Sequence, residues 1–200
     1  MSKKNSSINF GPVVDFILEA GLLKRVERSG WSVVGMKQKE SVAEHSFRCA
    51  IIGYLLASLE GADSSRVILM TLFGDMHEAR ITDLHKMAQR YIDVREAESA
   101  AFSGQISRLP EPMACELARM RREYTAQETK ESIIARDADI LECLIQAKEY
   151  YEFGFSVASH FMKKAPQFLV TKSARQLWKK SLSRDISAWW MSLSDFKRQP

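Results

Sequence analysis

The run Leu72-Phe-Gly-Asp-Met-His-Glu-Ala-Arg-Ile-Thr-Asp-Leu-His85 gathers Asp75, Glu78 and Asp83 with His77 and His85, directly after an apolar stretch. Burying carboxylates is costly unless a cation or a hydrogen-bond donor meets them. On a helix over 65–80, Asp75 and Glu78 share a face. A metal cation that also bridges to a substrate phosphate is one way to hold such a pair. The plain alternative is a solvated acidic face at a helix end. Two distant segments repeat the theme and weigh against that alternative. His45 follows Glu44 in the first turn of a mostly apolar helix, and Asp137 and Asp139 lie in Ala135-Arg-Asp-Ala-Asp-Ile-Leu141. Residues two apart on a helix point away from each other, so only one of that last pair can face a given site. Spacing leaves the choice between them even. Taken singly, a histidine on a helix or an aspartate in a long helix is ordinary. Together they form a mixed histidine and carboxylate set drawn from three helices. Such a set suits a divalent cation such as manganese, cobalt, magnesium or zinc, with open positions for water and a phosphate.

Composition narrows the field around that chemistry. The chain has 200 residues, 46% hydrophobic and 27% charged, which suits one soluble domain with a real core. A net charge of +4 would favour a phosphate-bearing ligand. The Lys and Arg residues are scattered, without a dense basic block among aromatics, so nucleic acid is a poor candidate partner. Cys49, Cys115 and Cys143 are odd in number and form no CxxC. They read as reduced thiols in a cytosolic protein. No apolar run approaches a membrane span. Met1 to Phe10 lacks the apolar centre of a signal peptide, so a cytoplasmic location is expected. No nucleophile elbow, GxxxxGK[ST] or GxGxxG occurs, which removes acyl transfer, P-loop and Rossmann readings.

The elements that must position these residues read as helices throughout. Pro12 opens a first helix over 12–26, with Val13, Phe16, Ile17 and Leu23 on one face. Residues 27–40 read as a loop with room for a short extended piece, and Trp31 there is either a core plug or a pocket wall. Ser41-Val-Ala-Glu44 has the form of a capping box, opening a helix to about Leu59. Gly61 to Ser64 breaks the chain, and the next helix starts near Ser65 with Gly74 inside it. A mid-helix glycine costs roughly 1 kcal/mol against alanine. A charged helix is expected over 94–107, and another after Pro112 to about Tyr124. Thr125-Ala-Gln-Glu128 reads as a second capping box, opening a long helix that ends before Gly154. Ser156 would cap a short helix to Lys164, and Thr171 the last one, through Trp178 to Trp190. The sum is an all-α domain of about seven to nine helices.

Four ordered pieces carry a resemblance: Arg28-Ser-Gly-Trp31, Glu40-Ser-Val-Ala-Glu-His45, Gly74-Asp75-Met-His-Glu78-Ala-Arg-Ile-Thr-Asp83 and Asp137-Ala-Asp139-Ile-Leu-Glu142. In order and spacing they resemble the HD-domain metal-dependent phosphohydrolases, nearest to the subgroup of 5′-deoxynucleotidases. The resemblance implies one HD-type domain over 1–200, with the motifs in about 12–153 and C-terminal helices over about 156–195. It implies that His45, Asp75 and Asp139 are metal ligands. Glu78 matches the acidic residue that positions or activates the attacking water, and Asp83 one near the sugar and nucleophile. Arg28 and Trp31 match an arginine and a tryptophan that hold the phosphate and shape the nucleoside pocket, although the Arg28 to Trp31 spacing differs from the subgroup. The chain departs from the pattern where the doublet histidine is expected, because that residue is Gly74. Water could fill the gap, and His77 is a possible substitute ligand. The expected activity is hydrolysis of nucleoside 5′-monophosphates to nucleoside and phosphate. The rivals are a degenerate HD domain that binds a nucleotide or phosphate without turnover, and an all-α interaction module. A homodimer is possible, with the Trp178, Trp189 and Trp190 helix as its face if that helix is not simply core.

Overall fold

The chain runs through α1 (Gly11–Ala20), α2 (Gly30–Val33), α3 (Val42–Glu60), α4 (Ser64–Phe73), α5 (Glu78–Ile81) and α6 (Val94–Ile106). It continues through α7 (Glu111–Ala126), α8 (Lys130–Glu152), α9 (Ser159–Lys164), α10 (Lys172–Ser181) and α11 (Ala188–Met191). Short 3-10 turns join several of these. This computed structural model describes residues 9–191 and 193. The segment Met1 to Phe10 discussed above therefore lies largely outside the described residues, as do 192, 194 and 195 of the expected C-terminal helices. Among the described residues there is no strand, only an isolated bridge between Glu27 and Ser41. The architecture is all-α, as the sequence pattern requires.

The central layer is α3, α4 and α8. Ser41 starts α3 with a reciprocal capping box: its hydroxyl accepts from the Glu44 N–H at 3.2 Å, and Glu44 Oε2 accepts from the Ser41 N–H at 2.6 Å. That box fixes where His45 enters the first turn. Leu56, Val67, Met70, Ile134, Ala138 and Leu144 are almost fully buried between the three helices. Gly53 lets α3 and α4 approach closely, since a Cβ there would stand 3.0 Å from Val67 Cγ1. Trp31, Met36, Ala147, Tyr150 and Ala158 form a second, smaller core under the turn of α2.

The first helix, expected over 12–26, ends at Ala20 and passes into a 3-10 turn over Gly21–Lys24, and Ser156 lies within a 3-10 turn instead of capping the helix to Lys164. Three further boundaries differ from expectation, each for a local reason. The expected helix over 65–80 is two, α4 and α5, with Asp75 in the turn between them and Glu78 opening α5. Across this turn the bonds tighten to the i→i−3 kind, with Met76 N donating to Phe73 O at 3.3 Å and Glu78 N to Asp75 O at 3.0 Å. Arg121 Nη1 takes the Gly74 carbonyl instead, at 2.7 Å. Second, Thr125 caps nothing. α7 runs on to Ala126, Gln127 closes it in the left-handed conformation at φ 55°, and Thr129 caps α8. Its hydroxyl accepts from Ser132 N at 3.1 Å, while Ser132 Oγ accepts from Thr129 N at 3.2 Å. Third, the last expected helix is divided into α10 and α11. The turn between them is held to the end of α8, where Lys148 Nζ donates to Arg184 O at 2.6 Å and Ile186 N to Glu152 Oε2 at 3.2 Å. Thr171 does cap α10, accepting from Ala174 N at 3.3 Å.

Gly74 has a steric reason as well. Its backbone is ordinary right-handed helix, at φ −54° and ψ −44°. A Cβ there would nevertheless stand 2.9 Å from the Met70 carbonyl oxygen. A side chain at this position thus adds strain, contrary to the relief that helix propensity alone implies. Gly74→Ala should lower stability by about 1–3 kcal/mol, overpacking outweighing the propensity gain of roughly 1 kcal/mol. Urea denaturation of the two proteins measures it.

Candidate metal and phosphate site

His45 is built into the wall of the central layer. Its ring is almost wholly buried, and Nδ1 pairs with the Glu142 carboxylate in a short contact. Glu142 is also met by the Arg48 guanidinium, with Nη2 2.8 Å from Oε1. Nδ1 is thereby committed to Glu142, and Nε2 faces the other way. It lies 3.1 Å from Asp139 Oδ1 and 3.6 Å from Asp75 Oδ2. A carboxylate behind a histidine fixes its tautomer and raises its basicity as a ligand. Neither Glu142 nor Arg48 was singled out from the sequence. Glu142 stands one helical turn after Asp139, so the shared face of α8 was the available signal.

Asp139 and Asp137, even in the sequence, are separated by geometry. Asp137 is fully buried and accepts from Val170 N at 2.9 Å, Thr171 N at 2.6 Å and Thr171 Oγ1 at 2.6 Å. It anchors the segment before α10. Asp139 turns to His45 and to Arg136, whose Nη1 donates to Oδ2 at 3.2 Å.

Arg28 sits among the acidic groups. Nη1 is 3.5 Å from Asp75 and 3.9 Å from Glu78, Nε is 3.8 Å from Asp83, and Nη2 is 4.0 Å from Asp139. These are ion pairs longer than hydrogen bonds, so the guanidinium keeps donor capacity for an anion. Asp83 reaches it because Thr82 adopts φ 62°, a conformation uncommon for a β-branched residue. The turn brings Asp83 Oδ2 to the Ser29 N–H at 2.8 Å.

Four carboxylates therefore meet two guanidinium groups, of Arg28 and Arg136, and one imidazole, so carboxylates are in excess. Burial, then Asp75 and Asp83, push the Glu78 carboxyl up to about 10. Burial opposes the charge on Arg28, but Asp75, Asp83, Asp139 and Glu78 outweigh it and hold the guanidinium firmly protonated. Burial by itself would lower His45, whereas Cys49 and Asp139 raise it. Glu78 Oε2 is buried without a hydrogen-bond partner. A buried carboxylate oxygen left unpaired is what an ion or its water would satisfy. A recess of about 10 Å³ is lined by His45, Cys49, Gly74, Asp75 and Asp139, among others. The donor set and the charge deficit both fit a divalent cation.

Three residues, Trp31, His77 and His85, lie elsewhere. Trp31 is 2% exposed, packed on Tyr150 and Phe161 with ring centroids 5.1 and 4.6 Å away. Its indole N–H donates to Glu40 Oε1 at 2.9 Å. It is a core plug and leaves almost no ring surface for a ligand. His77, weighed as a substitute ligand, faces α6: Nε2 is 3.6 Å from Glu98 Oε1. His85 Nδ1 accepts from Ala88 N at 3.2 Å. Glu40, His45 and Glu142 also stand close enough to share an ion. Trp31 and Arg48 already meet the two carboxylates there, so that cluster has less need of one.

A family model described as "HD domain" matches residues 20–178. The chain belongs to the HD-domain family. It is an HD-domain phosphohydrolase, an enzyme of the hydrolase class. The "5'-deoxynucleotidase HDDC2" of Bos taurus is 30% identical over 141 residues, covering 69% of this chain and 67% of that one. Among solved structures, a conserved hypothetical protein of Pyrococcus furiosus has a TM-score of 0.74 at 32% identity, covering 86% of this chain and 99% of its own. A structure titled "Predicted metal-dependent phosphohydrolase", from Magnetospirillum magnetotacticum, has a TM-score of 0.71 at 24% identity, covering 91% and 94%. That last likeness speaks to the fold of this HD-domain protein.

Behind His45, Glu40 provides a pH signature. Burial, then Glu142, raise its carboxyl from 4.5 to about 7. A raised carboxyl binds its proton more tightly in the folded chain. Its contribution to stability is complete below about 4.5 and is lost as pH rises through about 7. Glu40→Gln stays neutral and can still accept from Trp31. The variant's melting temperature, measured in chelator-treated protein, should gain on the parent's between about pH 5 and about pH 8. A pH-independent difference would mean that Glu40 does not titrate in this window.

Proposed function

We propose that this protein hydrolyses nucleoside 5′-monophosphates, releasing inorganic phosphate, at the cluster of Arg28, His45, Asp75, Glu78, Asp83 and Asp139. The observation that carries the reading is Arg28, a cation with spare donors, held against carboxylates that also converge on His45 Nε2. A site for a phosphate ester needs that pairing of an anion clamp with a metal-ligand set. The 5′-deoxynucleotidase name of the Bos taurus relative supports a nucleotide as the ester.

His45, Asp75 and Asp139 would hold the ion, through Nε2 and one oxygen of each carboxylate. A bound divalent cation supplies Lewis acidity to a phosphate oxygen and lowers the pKa of water. The chain's own residues do the rest. Glu142 keeps Nδ1 of His45 occupied, so that Nε2 carries the free lone pair. Burial, Asp75 and Asp83 keep a proton on Glu78 in the ion-free cluster; with a cation offsetting those carboxylates it would ionise, and its uncommitted Oε2 would then take a proton from the attacking water. Arg28 counters the charge that gathers on the phosphoryl oxygens as the ester bond breaks. Asp83 orients Arg28 and tethers the Ser29 N–H, which fixes the loop that carries the guanidinium. Trp31 contributes by packing beneath that loop. His77 is left out of the ligand set because its ring is engaged with Glu98. Manganese, cobalt, magnesium and zinc all remain compatible with a set of one imidazole and two carboxylates.

The experiment is phosphate release from a panel of nucleoside and deoxynucleoside 5′-monophosphates, after chelation and reloading with each of the four metals. Glu78→Gln should keep its metal and lose roughly 10²–10⁴-fold in kcat, while Asp75→Asn should lose both metal and turnover. Hydrolysis by Glu78→Gln at the parent rate would remove Glu78 from the proton-handling role. Nucleotide binding with no turnover on any metal would favour the degenerate reading that Gly74 raises.

A further inference from the structure

Gly74 removes an imidazole from the place where the resemblance expects one, and the recess beside it is not lined by Gly74 alone. Cys49, one turn after His45 on α3, projects into the same space. Its Sγ lies 3.3 Å from His45 Nε2, and its side chain is almost fully buried. His45, Cys49 and Asp139 each offer one donor atom, all within 4.8 Å of one another. Asp75, 3.6 Å from the same His45 nitrogen, borders the recess from the α4–α5 turn.

We propose that Cys49 is a metal ligand in this chain, taking up the coordination that Gly74 cannot supply. The inference rests on the metal centre of the proposed function and adds a sulfur donor to it. With metal–donor bonds of about 2.0–2.3 Å, neighbouring donors around a tetrahedral ion stand roughly 3.3–3.7 Å apart. About His45 Nε2 the distances here are 3.1 Å to Asp139, 3.3 Å to Cys49 and 3.6 Å to Asp75. These are the distances of neighbouring donors about one ion, and His45, Cys49 and Asp139 also lie within 4.8 Å of one another, while Asp75 stands outside that trio and approaches it at His45. Sulfur also meets no strong partner other than His45, its remaining contact being the Ala138 carbonyl at 4.0 Å. On binding, the sulfur–metal bond forms as the S–H bond breaks, and the proton leaves to solvent, one for each ion bound. A thiolate shifts preference toward zinc or cobalt and away from magnesium and manganese, which favour oxygen. The substitution of glycine for histidine therefore changes the kind of ion held as well as the number of imidazoles.

Cobalt(II) tests this directly, because a cobalt–thiolate bond gives an intense charge-transfer band in the near ultraviolet. Titration of chelator-treated full-length protein with cobalt(II) chloride should raise that band to an endpoint of one ion per chain. The double variant Cys115→Ser with Cys143→Ser should keep the band. Cys49→Ser should lose it and bind cobalt at least about tenfold more weakly, the lower end of what loss of a supporting partner already costs. If Cys49→Ser fails to fold, the parent and the double variant still decide the question. Tight binding that Asp139→Asn abolishes, without any sulfur band in the parent, would overturn the role of Cys49 and leave the metal centre standing. Failure of the parent to bind cobalt, with Asp139→Asn no different, would overturn the centre and this inference together.

Discussion

Like charge held close together is the constraint on which this structure depends. Asp75, Glu78, Asp83 and Asp139 arrive from the α4–α5 turn, α5, the loop after it and α8, and Arg28, His45 and, at Asp139, Arg136 oppose them. Such an arrangement would relax by separation if the backbone allowed it. The backbone does not. The capping box of Ser41 fixes the start of α3, the i→i−3 bonds fix the turn around Asp75, and the bond to Ser29 N holds Asp83 in place. The surrounding helices, stabilised by their apolar contacts, hold together a charge cluster that is unfavourable by itself. Stored electrostatic stress of this kind is usual where a site waits for a counter-ion or a substrate.

The helical class, and the residues that the structure brings into one cluster, were legible because they are written in local patterns. A capping box, a glycine break and apolar periodicity each act within a few residues, and they placed α3, the starts of α4 and α10 and the end of α8 nearly where they lie. Asp75 and Glu78 were legible as a pair because they remain near one another even though the helix between them is interrupted. What stayed hidden depends on contacts between distant segments. Asp137 and Asp139 have the same neighbours in sequence, and only the backbone at 170–171 distinguishes them. The end of α4 depends on Arg121, 47 residues away, taking the Gly74 carbonyl. Thr125 has the spacing of a cap, yet α7 continues through it because the left-handed turn falls later, at Gln127.

The same division explains Trp31 and Cys49. A tryptophan in a loop can plug a core or face a pocket, and nothing within the loop decides between them. Tyr150 and Phe161 decide, and both come from more than a hundred residues further along the chain. Cys49 looked like one of three dispersed thiols, with no CxxC to draw attention to it. Its importance comes from its position four residues after His45 and from an absence on a different helix. A motif lists the residues a site has, but not the residue that lies next to a position it lacks.

Asp137 touches nothing in the site, yet it governs how the site is presented. Its carboxylate grips the backbone at Val170 and Thr171, which prevents α8 from turning about its own axis. Successive side chains on a helix differ in azimuth by roughly 100°, so Asp139, two positions on, is aimed by the same grip. The C-terminal segment therefore acts as a torsional index for the helix: it sets the bearing of a carboxylate on the opposite side of α8 without approaching it. A domain that appears divided into a motif-bearing part and trailing helices is in this respect a single mechanical unit.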